Sequence, residues 1–185
     1  MNTANKLTML RVIMIPAFLV VLYLNPPYAN WIALAIFVAA SLTDLLDGRI
    51  ARKYNQVTDF GKFMDPLADK CLVVAAMLWF VEMGQMPAWA LLIVIVREFA
   101  VSGLRMQAAV TGKVIAAGWS GKVKTAATMV CICIMLVLPE FAGINLVAHY
   151  GGLLNALCVA VIVVTTLYSG IEYLLVNRKV FSKMK

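Results

Sequence analysis

Charged side chains are scarce in this chain of 185 residues: Asp, Glu, Lys and Arg together make up 14% of it, whereas hydrophobic residues make up 63%. Because a soluble domain carries about a quarter charged residues, this composition excludes an ordinary water-soluble domain and predicts an integral membrane protein. Acidic residues are fewer than basic residues: the chain has 9 Asp and Glu against 16 Lys and Arg. In so apolar a chain this excess predicts membrane orientation and contact with anionic lipids, and not nucleic-acid binding.

The chain has a single histidine, and its cysteines show no metal-binding pattern. The only histidine, His149, has no Ser or Cys beside it in the sequence, which argues against catalysis by a nucleophile paired with histidine. The four cysteines lie in apolar runs without metal-ligand spacing, so we interpret them as packing residues. No internal repeat or low-complexity segment divides the sequence, which predicts a single domain over residues 1–185.

Six apolar runs predict membrane-spanning helices, each of which requires about 20 residues. They cover residues 7–24, 31–52, 61–81, 87–108, 122–139 and 150–176. Lys and Arg are absent from the connections 25–30, 82–87 and 139–150, whereas the opposite helix ends and both terminal regions contain them. The positive-inside rule therefore predicts an all-α protein with six transmembrane helices and both termini in the cytoplasm.

Acidic pairs interrupt the second and third apolar runs. They are Asp44 with Asp47, spaced i,i+3, and Asp65 with Asp69, spaced i,i+4, so each pair shares one face of a helix. A glycine lies about one turn from each pair and leaves the face beside it bare; these glycines are Gly48 and Gly61. The predicted topology brings both pairs to the same depth, near the cytoplasmic surface. Four carboxylates at one depth are typical of a site for hard divalent cations.

Three interpretations of these acids are open from the residues alone. Intramembrane carboxylates normally have partners, so structural ion pairs with nearby Arg or Lys are one possibility and a metal-ion transporter is another. Phosphoryl transfer is the third, because metals held by carboxylates polarise a phosphoryl group and an uncommitted carboxylate accepts a proton from an attacking hydroxyl. The acids lack a polar ladder leading outward, which disfavours the transporter.

Basic residues of the later helices predict a cationic pocket for an anionic, water-soluble group. The candidates are Arg97, Arg105, Lys122 and Lys124. Structural pairing and contact with lipid headgroups are the alternatives. Because adjacent helix positions point to different faces, we expect Arg97 and Glu98 to bind separate partners. Asn155, in the last apolar run, is expected to form a hydrogen bond to another helix.

The sequence resembles the CDP-alcohol phosphotransferase family. The resemblance is carried by Asp44-x-x-Asp47-Gly48-x-x-Ala51-Arg52, followed after eight residues by Gly61-x-x-x-Asp65-x-x-x-Asp69. Every fixed position of the family's signature is present at its spacing. Further matches are Asn5-x-x-Thr8-x-x-Arg11, the segment from Thr58 to Lys70, the segment from Arg97 to Arg105 and Gly121-Lys-Val-Lys-Thr125.

The resemblance implies a membrane-bound homodimer that uses CDP-diacylglycerol as donor, with two divalent ions, Mg²⁺ or Mn²⁺, as cofactor. It implies that Asp44, Asp47 and Asp65 bind metal and that Asp69 is the general base with some metal contact. The donor would be bound by Asn5, Thr8, Gly48, Ala51, Arg52, Thr58 and Gly61. The hydroxyl of sn-glycerol 3-phosphate would attack the β-phosphorus and release CMP, with Arg97, Arg105 and Lys122 holding the acceptor phosphate.

The identity of the acceptor is the main alternative. Inositol phosphate, phosphatidylglycerol and serine would preserve the enzyme class, although the cationic pocket favours a phosphorylated acceptor and disfavours serine. The expected location is a bacterial inner (plasma) membrane, with the active site facing the cytoplasm. A divalent-metal transporter is a less favoured function, and a non-catalytic scaffold is the least favoured.

Overall fold

The computed structural model describes the backbone of residues 3–53, 59–110 and 118–181, and the side chains of residues 9–43, 70–108 and 118–178. Within these ranges the regular structure is helical. The helices are α1 (Thr3–Leu24), α2 (Ala29–Lys53), α3 (Asp59–Glu82), α4 (Ala88–Val110), α5 (Trp119–Val137) and α6 (Asn145–Phe181), with a 3-10 turn over Leu138–Phe141 before α6. The prediction of an all-α chain with six helices is confirmed.

Two of the connections between helices are tight turns. Asn25 and Tyr28 adopt left-handed backbone angles, with φ of 44° and 65°, on either side of two prolines that cannot continue α1. After α3, Gly84 has a φ of 69°, and the Gln85 N–H donates to the Phe80 carbonyl at 2.8 Å while the Gly84 N–H donates to the Val81 carbonyl at 3.1 Å. This pairing is a Schellman motif, in which the glycine ends the helix and satisfies its last carbonyls.

The predicted helix limits differ most from the structure around the last connection. The fifth run was expected to end at residue 139, but α5 ends at Val137 and Pro139 belongs to the 3-10 turn. Helix α6 begins five residues before the predicted start at 150 and ends five residues after the predicted end at 176. Its last turns carry Arg178 and Lys179, and positive charge at a helix C-terminus stabilises the helix through its dipole.

The chain forms two compact units, Met1–Trp79 with Leu136–Ala148, and Phe80–Met135 with His149–Lys185. In the first unit α1 packs against α2, and the rings of Phe18 and Phe37 lie 6.2 Å apart between them. The Tyr23 ring contacts Trp79 edge-on at 5.2 Å. Asn30 Nδ2 donates to Glu140 Oε1 at 2.8 Å, which ties α2 to the 3-10 turn. These contacts fix the helices that carry the acidic pairs.

The second unit packs α4, α5 and α6 around a core of small and medium apolar side chains. Buried members of this core include Val94, Ile132 and Ile162. Asn155 Nδ2 of α6 donates to the Gln85 carbonyl at 2.6 Å, so Asn155 does form a long-range hydrogen bond, but its partner lies in the turn between α3 and α4 and not in another helix as expected. Cys131 and Cys158 are buried in this unit, as expected of packing residues, whereas Cys71 is exposed and does not pack in the core.

Large apolar side chains also cover the outside of the helices. On α6 alone Leu157, Leu167 and Leu175 are exposed, and α4 exposes Leu92 and Phe99. A water-soluble monomer rarely exposes apolar surface on this scale, because each such side chain remains in contact with water. Two helical stretches, Trp119–Phe141 and Asn145–Arg178, are long and apolar enough to cross a membrane. The outer surface is therefore suited to lipid.

Candidate functional site

Both acidic pairs lie on continuous helical backbone. Asp44 and Asp47 belong to the C-terminal half of α2, which extends to Lys53, and Asp65 and Asp69 belong to the N-terminal half of α3. The helical spacing assumed for each pair is therefore present in the backbone. The side chains of these residues lie outside the part that the structure describes, so their meeting around a metal stays a prediction.

The residues predicted to bind the donor are distributed over three segments. Gly48, Ala51 and Arg52 lie in the last turns of α2, and Gly61 lies in the first turn of α3. Asn5 and Thr8 lie in the first turns of α1. Thr58 lies outside the described residues. Arg11, one turn after Thr8, is almost completely buried, with 1% of its surface exposed.

Arg97 belongs to a charged network that links three helices of the second unit. Its Nη1 donates to Glu98 Oε1 at 2.7 Å, and Lys124 Nζ of α5 donates to the same oxygen at 2.6 Å. Arg97 Nη2 donates to Ser169 Oγ of α6 at 2.5 Å. We call these four residues the Glu98 network. It shows that α4, α5 and α6 are held together by polar contacts in addition to apolar packing.

The Glu98 network corrects one expectation and confirms another. Arg97 and Glu98 are adjacent, yet they contact each other directly, because both side chains are long enough to meet beside their helix. The expectation that each also binds a separate partner is confirmed by Lys124 and Ser169. Lys124 is 5% exposed, so it lies inside the unit and not among lipid headgroups.

A glycine gives Arg97 the space to reach α6. A Cβ atom built on Gly170 would lie 3.2 Å from Arg97 Cγ, closer than ordinary van der Waals contact. On α5, a Cβ on Gly121 would lie 3.8 Å from Arg97 Nη2, an ordinary contact distance. Gly170 therefore allows the stem of Arg97 to cross α6 next to Ser169.

Arg105 and Lys122, the other two cations of the predicted pocket, do not belong to the Glu98 network. The Arg105 guanidinium carbon lies 5.3 Å from the centre of the Tyr173 ring of α6, a cation–π contact, and its Nε has no hydrogen-bond partner within the described part of the chain. Lys122 is exposed and lines a groove of about 620 Å³ with Trp119 of α5 and Val161 of α6. Since Lys122 and Lys124 are two positions apart, they lie on opposite faces of α5.

Sequence reasoning missed the pairing of Glu98 with Lys124 and the roles of Ser169 and Gly170. A signal for the first was present, because an acidic residue in the middle of an apolar helix requires a partner. The choice of partner depends on how α4, α5 and α6 pack, and no local pattern gives this. Ser169 and Gly170 look like ordinary small residues of an apolar helix and carried no comparable signal.

The fold and the placement of the acids define an all-helical, largely apolar protein with carboxylate pairs on two consecutive helices. The model of the CDP-alcohol phosphatidyltransferase family matches residues 1–171. The chain therefore belongs to this family.

Proteins similar to this chain come from several bacteria. The chain is 43% identical over 149 residues to the Bacillus subtilis (strain 168) CDP-diacylglycerol–glycerol-3-phosphate 3-phosphatidyltransferase, covering 74% of this chain and 77% of the relative. It is 39% identical over 183 residues to the Escherichia coli (strain K12) protein of the same name, with 94% and 93% covered. It is 36% identical over 175 residues to the probable phosphatidylglycerophosphate synthase of Mycobacterium tuberculosis (strain H37Rv), with 93% and 79% covered.

Proposed function

We infer that the chain is a phosphatidyltransferase that converts CDP-diacylglycerol and sn-glycerol 3-phosphate to phosphatidylglycerophosphate and CMP, a step of phospholipid biosynthesis. The observation that carries this inference is the complete acidic signature on the helical backbone of α2 and α3 in a chain that the family model matches over residues 1–171. Three relatives from different bacteria bear names for this reaction, at 36–43% identity.

The reaction requires one proton transfer and one displacement at phosphorus. The Asp69 carboxylate accepts the proton of the attacking hydroxyl of glycerol 3-phosphate, and the resulting oxygen forms a bond to the β-phosphorus of CDP-diacylglycerol. The bond from the β-phosphorus to the bridging oxygen breaks, and this oxygen leaves with CMP. Positioning and charge neutralisation supply most of the rate in such transfers, so no covalent enzyme intermediate is needed.

The donor set fits Mg²⁺ or Mn²⁺, because Asp44, Asp47, Asp65 and Asp69 supply only hard oxygen ligands, at positions one helical turn apart within each pair. We propose that the first three hold the metal, that Asp69 contributes a contact, and that two ions bind. Bound metal would neutralise the charge of the pyrophosphate and polarise the reacting phosphoryl group.

The remaining predicted site residues are assigned either to the donor, CDP-diacylglycerol, or to the acceptor, glycerol 3-phosphate. We propose that the donor's CDP moiety is bound by residues of three helices and one connection: Asn5, Thr8, Gly48, Ala51, Arg52, Thr58 and Gly61. For the acceptor phosphate we propose Arg105 and Lys122. Arg105 has a buried Nε without a hydrogen-bond partner within the described residues, and Lys122 is an exposed residue. Arg97 was predicted for the same role, but two of its nitrogens already bind protein groups.

Location and assembly are also proposals. We propose a multi-pass protein of the bacterial plasma membrane with both termini and the active site on the cytoplasmic side. Its support is the absence of Lys and Arg from alternate connections, together with the exposed apolar surface of α4 and α6. The homodimer implied by the family resemblance is retained as a proposal.

The test is an acceptor panel with protein purified in detergent or nanodiscs. We expect CMP release from CDP-diacylglycerol only when glycerol 3-phosphate and Mg²⁺ or Mn²⁺ are both present. Inositol phosphate, phosphatidylglycerol and serine, offered one at a time, should each release far less CMP. CMP release that favours one of these acceptors would reject glycerol 3-phosphate as the substrate while preserving the enzyme class. Metal uptake into proteoliposomes without nucleotide turnover would instead favour a transporter.

A further inference from the structure

The Glu98 network has no role in the proposed chemistry, although it contains two buried or half-buried cations and one carboxylate. Lys124 is 5% exposed, and the side chains of Arg97 and Glu98 are 13% and 19% exposed. A single oxygen, Glu98 Oε1, accepts hydrogen bonds from both cations. Without the carboxylate, two positive charges would face each other in an apolar interior.

A buried ion network of this kind is a poor source of net stability, because the cost of removing the charges from water offsets most of their attraction. What the network contributes is a fixed geometry. Charge-assisted hydrogen bonds are short and directional, so they fix which residues of neighbouring helices lie opposite each other. In the Glu98 network they fix α4 against α5 through Lys124, and α4 against α6 through Ser169.

The helix segments held in this way also carry the cations that we assign to the acceptor. Arg105 follows Arg97 on α4 by eight residues, about 12 Å along the helix. Lys122 precedes Lys124 on α5 by two residues. The ring under Arg105 belongs to Tyr173, one turn of α6 after Ser169. A shift of α4 against its neighbours would therefore move Arg105 relative to both Tyr173 and Lys122.

We propose that Glu98 is a positioning residue for the acceptor phosphate: it holds Arg97 and Lys124, and thereby α4 against α5 and α6, so that Arg105 keeps its place beside Tyr173, from which it binds that phosphate. The proposal rests on the proposed function. It also gives Arg97 a different role from the one predicted from the sequence, since Arg97 then connects α4 to α6 and does not bind the acceptor. Gly170 contributes to the same positioning, because it provides the space that the Arg97 side chain occupies.

Steady-state kinetics test the positioning role. Glu98→Gln should raise the KM for glycerol 3-phosphate about tenfold, with the KM for CDP-diacylglycerol changed less than about twofold. Glu98→Asp, which keeps the charge, should recover most of the acceptor KM. The control is Glu140→Gln, an equivalent change of an exposed carboxylate that contacts Asn30, and it should leave both KM values unchanged. A folded Glu98→Gln protein with an unchanged acceptor KM, or with both KM values raised equally, would overturn the proposal.

Thermal unfolding tests the network without turnover. Glu98→Gln should lower Tm by roughly 10 °C, because it leaves two cations uncompensated. Lys124→Met should lower Tm in the wild-type chain but raise it in the Glu98→Gln chain, where it removes an unpaired charge. An equal lowering in both backgrounds would show that Glu98 and Lys124 are not coupled and would overturn the proposal.

A milder variant serves if Glu98→Gln does not fold. Ser169→Ala removes only the bond to Arg97 Nη2, and it should raise the acceptor KM about threefold while the donor KM stays constant. An unchanged acceptor KM in this variant would also count against the proposal.

Two outcomes distinguish a wrong function from a wrong role of Glu98. If the wild-type protein makes no phosphatidylglycerophosphate, the proposed function and the positioning role both fail, while the Tm cycle still decides whether the network exists. If the wild-type protein makes the product and Glu98→Gln keeps both KM values, only the positioning role fails.

Discussion

At the scale of single residues, two uses of acidic side chains can be compared. Asp44, Asp47, Asp65 and Asp69 form a motif whose residue types and spacing suit metal ions and a phosphoryl group. Glu98 instead balances two cations through one oxygen. We therefore propose that acidic residues serve chemistry in α2 and α3, whereas in α4 Glu98 serves packing.

Asp69 is the residue whose loss should stop the chemistry most selectively. Asp69→Asn removes the proton acceptor but keeps the size of the side chain, so we expect turnover to fall at least about 100-fold. Binding of CDP-diacylglycerol, measured by equilibrium dialysis with Mn²⁺ present, should be partly retained. Glu140→Gln is the matched control and should keep full turnover. Near-normal turnover of Asp69→Asn would remove Asp69 as the base.

Arg105 should act on one substrate only. If Arg105 binds the acceptor phosphate as proposed, Arg105→Ala removes a charge-assisted contact worth about 2 kcal/mol, which corresponds to a rise of roughly 30-fold in the KM for glycerol 3-phosphate. The KM for CDP-diacylglycerol should stay within about twofold. Arg178→Ala, in the exposed end of α6, provides the control. An equal rise in both KM values would move Arg105 out of the acceptor site.

Gly170 and Gly152 offer a matched pair of substitutions on α6. Replacing a helical glycine by alanine stabilises a helix by about 0.5–1 kcal/mol when space is available. Gly152 has open space, whereas a Cβ on Gly170 would press on Arg97 Cγ at 3.2 Å. We expect Gly152→Ala to raise Tm by about 2 °C and Gly170→Ala to lower it. Equal increases for both would show that Arg97 does not need this space.

At the scale of helices, the sequence predicts that a helix is present more accurately than it predicts how long the helix is. Six apolar runs separated by Pro, Gly and Asn correspond to six helices, because these breaks are local chemistry. The early start of α6 and the 3-10 turn at Leu138–Phe141 were not predicted. The segment of the 3-10 turn contacts α2 through Glu140 with Asn30 and Phe141 with Trp31, and no local pattern gives these contacts.

The hydrogen bond from Asn155 of α6 to Gln85, in the connection after α3, can be tested by substitution. Asn155→Leu removes the hydrogen bond to the Gln85 carbonyl, and polar contacts between membrane helices are worth about 0.6 kcal/mol on average. We expect Tm to fall by about 2 °C. Asn177→Leu is the control, because Asn177 Nδ2 bonds the Tyr173 carbonyl within the same helix. Equal effects would mean that the bond to Gln85 does not tie the two elements together.

At the scale of the whole molecule, composition already predicts the class of protein, and the exposed apolar side chains of α4 and α6 agree with it. The helical spacing of the acidic motif could be predicted from the sequence and is confirmed in the backbone of α2 and α3, whereas its metal binding stays a prediction. The Glu98 network could not be predicted, because its partners are 26 and 72 residues apart in the sequence. Their meeting depends on tertiary packing.

Orientation can be tested by cysteine labelling in intact bacterial cells, in a chain whose four cysteines are replaced by serine or alanine. Ala142→Cys, in a connection without Lys or Arg, should react with a membrane-impermeant maleimide added outside. Gly118→Cys, in a connection followed by basic residues, should react only after the cells are opened. The reverse pattern would place the active site outside the cytoplasm.

The central claim is that the acidic turns of α2 and α3 jointly bind divalent ions where the donor pyrophosphate lies. Mn²⁺ binding followed by electron paramagnetic resonance, with purified protein in nanodiscs containing CDP-diacylglycerol, tests this claim without turnover. The account predicts saturable binding that is lost in Asp44→Asn and equally in Asp65→Asn, because each helix supplies ligands to one site. Full Mn²⁺ binding by both variants would contradict it.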